Sequence, residues 1–340
     1  MKRFVTFGEI MMRLNPEGYL RFVQADSFEV TYAGGEANVA ISLANFGKNV
    51  SFVTKLPNNP LGQAARNEVR RFGVDTSHIV MGGPRLGLYF VEKGAAQRGS
   101  KVVYDRAGSS ISLAKRSDFD WESILKGVDW FHFTGITPAL GGECAEICRD
   151  ALVYCKNHGI TVSCDLNYRS KLWTREAASL CMARLVPMVD VLIANEADAA
   201  DVFGIKAEGS DVERGKLEKT GYEFVARQLN ERFGCRLIAI TLRTSISATD
   251  NKWAGMLYVD NRAYFSREYD LHIVDRVGGG DSFGGGLIYA LASGRKPQDA
   301  IEFAVAASAL KHSIEHDFNH VSVDEVDALV AGGGSGRVQR

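Results

Sequence analysis

The chain has 340 residues, 46% of them hydrophobic, enough to bury a large core as one sizeable domain with an appendage or as two ordinary domains. Its 40 Lys and Arg nearly balance 41 Asp and Glu, for a formal net charge of −1. That balance speaks against a dedicated binder of nucleic acid or of an anionic membrane, which carries a basic excess, but leaves room for a local basic pocket.

The N-terminal stretch, Met1 to Glu9, reads as a first strand and not as a signal peptide. Residues 11–33 then alternate apolar and polar side chains and are rich in turn residues, and 84–112 do the same, with Leu86 to Glu92 and Lys101 to Arg106 as the strands. Both segments read as hairpins outside the main sheet, forming a small β lid. Between them, Gly34 and Gly35 turn into a small-residue helix that carries Glu36 and Asn38.

From there short apolar runs alternate with amphipathic helices. The expected strands are 50–54, 128–133, 160–164, 189–194 and 237–242, and the expected helices are 61–72, 143–157, 175–185 and 222–233. Gly73, Gly159 and Gly234 close three of the helices as left-handed stops. This alternation predicts an α/β fold with a parallel sheet covered on both faces, whose ligands gather at the carboxyl ends of the strands. Asp165, Asn195 and Thr241 stand at such ends. The expected division is an α/β core of residues 1–10, 34–83 and 113–331, a lid of 11–33 and 84–112, and a flexible tail of 332–340. A charged surface insertion is expected at Lys206 to Thr220.

Six cysteines (Cys144, Cys148, Cys155, Cys164, Cys181, Cys235) lack Cys-x-x-Cys pairing, so neither a disulfide framework nor a zinc site is expected. No stretch approaches the roughly 20 apolar residues of a membrane span. The expected location is a soluble, reducing compartment, most simply the cytoplasm.

The segment Asp275-Arg276-Val277-Gly278-Gly279-Gly280-Asp281 concentrates the chemistry. It follows a predicted strand end at Leu271 to Val274 and precedes a predicted helix from Ser282 to Ala292. Three glycines at that junction let several N–H groups point at one spot beside a helix N-terminus, which favours a phosphate or a developing oxyanion. Asp281 is placed to take a proton from a hydroxyl held there, and the helix terminus is expected to keep its pKa low. The local reading is phosphoryl transfer to an alcohol.

Other motifs compete. No G-x-x-x-x-G-K-[ST] loop is present, and the Rossmann fingerprint lacks its third glycine because Phe283 stands there. Gly280-Asp281-Ser282-Phe283-Gly284 matches the G-x-S-x-G elbow of α/β hydrolases, with Ser282 as nucleophile and later histidines as partners. Against it, the strand ends several residues too early and no oxyanion motif accompanies it. His312, His316 and His320, four residues apart, line one face and bind a metal with Asp317 if the helix continues; they are solvated or capping if it stops.

Together, Gly-Gly-Glu-Ala-Asn-Val-Ala near the N-terminus and Asp-x-x-Gly-x-Gly-Asp near the C-terminus make the chain resemble the ribokinase/pfkB carbohydrate kinase family over nearly its whole length. The resemblance implies a ribokinase-like three-layer α/β/α sandwich with a β-sheet lid, ATP and Mg²⁺ as nucleotide and metal, and Asp281 with Gly278, Gly279 and Gly280 as catalytic groups. A narrower likeness, to the family's sugar-acid kinases acting on the 6-hydroxyl of 2-dehydro-3-deoxygluconate, rests on several further residues. They are Tyr89, Tyr104 to Arg106, Asp165 to Arg169, Leu172-Trp173, Lys311 to Ser313 and Asp317 to Asn319. It implies sugar-side contacts from Gly34, Gly35, Asn38, Tyr89, Tyr104, Arg106 and Arg169. The two arginines would grip the carboxylate, and the two tyrosines would cover the carbon chain and bond its oxygens. ATP is then expected toward Asn167, Asn195, Thr241, Arg243, Gly278 and Gly280. The family's Asn-x-x-Glu motif reads Asn195-Glu196-Ala197-Asp198 here, leaving Asp198 as an indirect, water-mediated Mg²⁺ contact. Exposed lid strands offer pairing edges, so a homo-oligomer through the lid is expected.

Overall fold

The computed structural model describes residues 2–206 and 219–333. Its larger sheet has nine strands. Parallel neighbours follow the order Asn49–Val53, Arg3–Phe7, Trp130–Thr134, Thr161–Asp165, Val191–Asn195 and Leu237–Ser245. Asp250–Val259 pairs antiparallel with the last of these, and Arg262–Phe265 and Tyr269–His272 pair with it in turn. The strand before the glycine cluster therefore belongs to this antiparallel edge and stops at His272, two residues short of the sequence expectation.

Side chains alternate across the pleat, which is why both faces are apolar. Phe4 enters one core, while Val5 and Phe7 enter the other. Gly35–Asn45, Gly279–Ala292 and Pro297–Lys311 cover the first face; Cys144–His158, Arg175–Leu185 and Lys219–Phe233 cover the second. The result is three layers, α/β/α, as the pattern of elements predicts.

The four-stranded lid has the order Glu29–Ala33, Met11–Asn15, Gly87–Glu92, Lys101–Asp105. Two antiparallel hairpins meet through a parallel pairing of Met11 to Leu14 with Gly87 to Phe90, a join that hairpin patterns alone do not reveal. Four α-helices went unforeseen, Trp121–Leu125, Glu196–Phe203, Pro297–Lys311 and the Ser322-capped Val323–Val330. The helix at Lys219–Phe233 already includes Lys219, three residues before the expected start at Tyr222. Most of the expected insertion (207–218) and of the tail (334–340) lies outside the described residues. Among the described residues, no helix is long and apolar enough to cross a membrane.

Strand order fixes where a ligand goes. The chain leaves Arg3–Phe7 for Asn49–Val53 on one side, and its next central strand, Trp130–Thr134, lies on the other. That reversal opens a crevice at the strands' carboxyl ends.

Candidate active site

A cleft of about 390 Å³ occupies the crevice and continues under the lid. It is lined by Gly34, Gly35, Asn38, Tyr89, Tyr104, Arg106, Asn167, Arg169, Asn195, Asp198, Thr241, Arg243, Gly278, Gly280 and Asp281. Residues scattered over most of the chain thus converge on one space.

At its floor the Gly279–Ala292 helix begins. Gly278, at φ +80°, is the left-handed residue that turns the chain, and a Cβ on it would sit 2.0 Å from the Asp317 carbonyl oxygen. The helical ladder starts with Ser282 N–H donating to the Gly278 carbonyl at 2.8 Å, so the Gly280 and Asp281 amides point out of the helix end. Gly280 is exposed to the cleft, with nothing within 4 Å of its would-be Cβ. Gly279 corrects the sequence reading. Its amide donates to the Arg276 carbonyl at 3.3 Å and its Cα face abuts the His312 ring, so it packs the turn and does not line the cleft.

Asp281 stands on the first helical turn and faces the cleft. Asn38 Nδ2 donates to its Oδ2 at 2.7 Å. The expectation of a low pKa fails: burial raises it to about 6, against the opposing pull of the Asn38 hydrogen bond and of Arg169 and Lys311. The helix-end argument is local, and desolvation by the folded surroundings outweighs it.

The opposite wall is the first glycine turn. A Cβ on Gly34 would lie 1.9 Å from the Glu9 carbonyl, so backbone meets backbone there. Gly35 is different: its would-be Cβ lies 3.5 Å from Asp281 Oδ1, and the missing side chain keeps the space before the carboxylate open. Behind the turn, buried Glu36 accepts from Thr134 N–H (2.9 Å), Thr134 Oγ1 (2.8 Å) and Thr137 Oγ1 (2.6 Å), which pins the helix start to the Trp130–Thr134 strand. Burial raises its carboxyl to about 7, although these donors oppose the shift.

Two lid expectations need correcting. Arg106 is not an uncommitted cation, because it pairs with buried Glu9, through Nε at 2.7 Å and through Nη2. Tyr89 does not offer its hydroxyl to a ligand either; it donates to Asp317 Oδ2 at 3.0 Å. Its ring stacks on Tyr104 (centroids 6.1 Å apart), and Arg106 lies 5.3 Å from the Tyr104 ring centroid, so these side chains form the cleft's roof. Arg169 donates to the Tyr168 carbonyl at 3.0 Å and has no carboxylate within ion-pair distance among the described residues.

Toward the other end, Asp198 accepts from the Tyr168 and Asn195 amides at 3.1 and 3.0 Å. Asn195 reciprocates by capping the helix that follows. Burial raises Asp198's pKa, and Asp165 is pushed far higher by burial and by the neighbouring Asp198 and Asp281. Arg243 stacks 4.6 Å from the Trp253 ring centroid and approaches His312 Nε2 at 3.4 Å.

The rival motifs come apart. Ser282 is buried inside the helix, with its Oγ unbonded, so no elbow presents it. His312 is buried and bonded to the Ser308 carbonyl, His316 faces Glu29, and His320 lies against Phe72. The helix stops at Lys311, and no cluster of three or more His, Cys, Asp or Glu among the described residues suits a metal ion. Sequence reasoning missed Glu9, Arg13, Arg276 and Trp253 and left Glu36 without a role. Only Arg276 carried a signal, as a residue inside the glycine motif that was given no role.

Comparison with known proteins agrees with this geometry. A 2-dehydro-3-deoxygalactonokinase of Haloferax volcanii is 31% identical over 332 residues, covering 98% of each chain. A 2-dehydro-3-deoxygluconokinase of Thermoproteus tenax is 28% identical over 323 residues, covering 93% of this chain and 90% of that protein. The crystal structure of 2-dehydro-3-deoxygluconokinase from Thermotoga maritima superposes with a TM-score of 0.94 at 53% identity, covering 97% of this chain and 98% of that one. Residues 1–241 and 253–314 match the pfkB family carbohydrate kinase pattern, and with a glycine cradle, a cleft carboxylate and a β lid in one crevice the chain belongs to that family.

Proposed function

We propose that the protein transfers the γ-phosphoryl group of ATP to the 6-hydroxyl of 2-dehydro-3-deoxy-D-gluconate, giving 2-dehydro-3-deoxy-6-phosphogluconate and ADP. The observation that carries this reading is Asp281, held by Asn38 beside the Gly280 amide, with a pKa of about 6. At pH 7 such a carboxyl is mostly ionised, and a base poised near the working pH transfers protons efficiently. Asp281 takes the hydroxyl proton as that oxygen bonds to the γ-phosphorus and the bond to the β-phosphate oxygen breaks. The outward amides of Gly280 and Asp281 receive the charge on the transferred group's oxygens.

Arg169 supplies the positive charge for the sugar carboxylate. Arg106, already neutralised by Glu9, supplies directed N–H groups, and Tyr89 and Tyr104 cover the carbon chain. Gly34, Gly35 and Asn38 form the sugar-side wall, while Asn167, Asn195, Thr241 and Arg243 face the nucleotide. The donor set suits Mg²⁺, which keeps much of its water and binds chiefly through phosphates. Asp198, with both oxygens already bonded to amides, would hold it through water, and the ion would neutralise phosphate charge.

We further infer a core of 1–10, 34–83 and 113–331 beneath a lid of 11–33 and 84–112. Self-association through the lid is supported by exposed Tyr19, Val23, Val30 and Val103 beside its two edge strands. Six unpaired cysteines fit a reducing cytoplasm.

ADP release measured with 2-dehydro-3-deoxygluconate, its galactonate epimer, fructose and ribose tests the substrate. The sugar acids should turn over with the highest kcat/KM, and a preference for neutral sugars would overturn the assignment. Arg169→Ala should raise the sugar-acid KM by roughly 10–100-fold, the worth of a charged hydrogen bond, with little change for neutral sugars.

A further inference from the structure

Arg13 lies on the lid strand Met11–Asn15, its side chain fully buried. Its Nη2 donates to Asp275 Oδ2 at 2.6 Å and its Nη1 to Asp317 Oδ1 at 2.6 Å. Each acid touches the cradle. Asp275 opens the glycine motif and accepts from the Val277 amide at 3.0 Å through its other oxygen, one residue before Gly278. Asp317 lays its backbone carbonyl against the Cα of Gly278 and takes the Tyr89 hydroxyl from the second lid hairpin. Lys311, also buried, donates from Nζ to the Asp275 carbonyl at 3.1 Å. Two cations and two carboxylates thus form a neutral cluster directly behind the cradle.

Such a cluster is a poor way to gain stability. Desolvating charges costs several kcal/mol per ion, and apolar replacements often do as well. Arg13 Nε even remains unbonded in the interior. What the fork does provide is geometry, because a planar guanidinium fixes two carboxylates at set positions where an ammonium cannot. Resting on the kinase reading above, we propose that Arg13 is a positioning residue for phosphoryl transfer. By bridging Asp275 and Asp317 it holds the Gly278–Asp281 cradle in register with the lid that covers the acceptor. It touches neither substrate, and it acts through the two acids.

The prediction is a loss in kcat without a matching loss in binding, since misplacement by about 1 Å can cost about 100-fold. The test compares wild type, Arg13→Met, Arg13→Lys, Tyr89→Phe and the charge-balanced double variant Arg13→Met with Asp317→Asn, which leaves Lys311 beside Asp275. Each is assayed for kcat, for KM of ATP and of the sugar acid, and for Tm. Arg13→Met and Arg13→Lys should lower kcat by roughly 30–100-fold and change either KM less than about threefold. The double variant should regain Tm but not kcat. Should Arg13→Met fail to fold, the double variant and Tyr89→Phe carry the test, the latter losing kcat about 3–10-fold at unchanged Tm. If kcat instead recovers along with Tm in the double variant, or Tyr89→Phe changes KM alone, the cluster is not a positioning device. A wild type that turns over while the variants follow Tm overturns this inference alone; a wild type releasing no ADP overturns the kinase reading and this inference with it.

Discussion

The two glycine turns that face each other across the cleft, Gly34–Gly35 and Gly278–Gly280, each combine packing glycines with one that leaves space. Gly34, Gly278 and Gly279 have neighbouring backbone or a buried ring where a Cβ would go. Gly35 and Gly280 do not; their missing side chains border the cleft on either side of Asp281. Identical residue types in adjacent positions therefore answer to different demands, one on packing and one on open space in the cleft, which the proposed mechanism uses for catalysis, and substitution separates them.

The largest expected effect falls between the turns. Asp281→Asn preserves the size of the side chain but removes the base, and should lower kcat by about 10²–10⁴ with ATP affinity changed only a few-fold. A loss under about tenfold counts against the role. Within the second turn, Gly280→Ala should leave Tm nearly unchanged and reduce kcat by roughly 10²–10³-fold, because the methyl enters the cradle and one lost donor is worth about that much. Gly278→Ala should instead lower stability by more than about 2 kcal/mol, through its left-handed backbone and its contact with the Asp317 carbonyl. Equal effects on Tm would erase the distinction.

Smaller changes follow from the carboxyls each turn holds. Asn38 donates to Asp281 and lowers its pKa from what burial alone would impose. The acid limb of kcat/KM is expected near pH 6, and Asn38→Ala should move it upward by about one unit; a limb that stays put would disconnect it from Asp281. Glu36 supplies the smallest and purely structural contrast. Its folded pKa of about 7 exceeds the ordinary 4.5, so the folded protein binds more protons between those values and this group's contribution weakens as pH rises through that window. Glu36→Gln should therefore gain Tm relative to wild type between pH 5 and 8, and a difference independent of pH contradicts the assignment.

What the sequence made legible was local or periodic. The helix at Arg175–Leu185 matches expectation at both ends because its caps and pattern are contiguous, and both glycine turns advertise themselves. What stayed hidden depended on partners far along the chain. Arg13 meets Asp275 and Asp317 across 262 and 304 residues, and Glu9 neutralises Arg106 across 97. Nothing adjacent to Arg13 or Glu9 announces either pairing. The same distance explains the error over Asp281: its helix end is written in neighbouring residues, whereas its desolvation comes from burial among parts of the chain assembled only on folding.

The central claim is that Asp281 is the base, and the most direct measurement is a crystal structure of the protein with sugar acid and a non-hydrolysable ATP analogue. The account predicts the acceptor hydroxyl within about 2.6–3.2 Å of an Asp281 carboxylate oxygen, with the terminal phosphate against the Gly280 amide. A hydroxyl bonded to another group, with Asp281 turned away from it, would contradict the account.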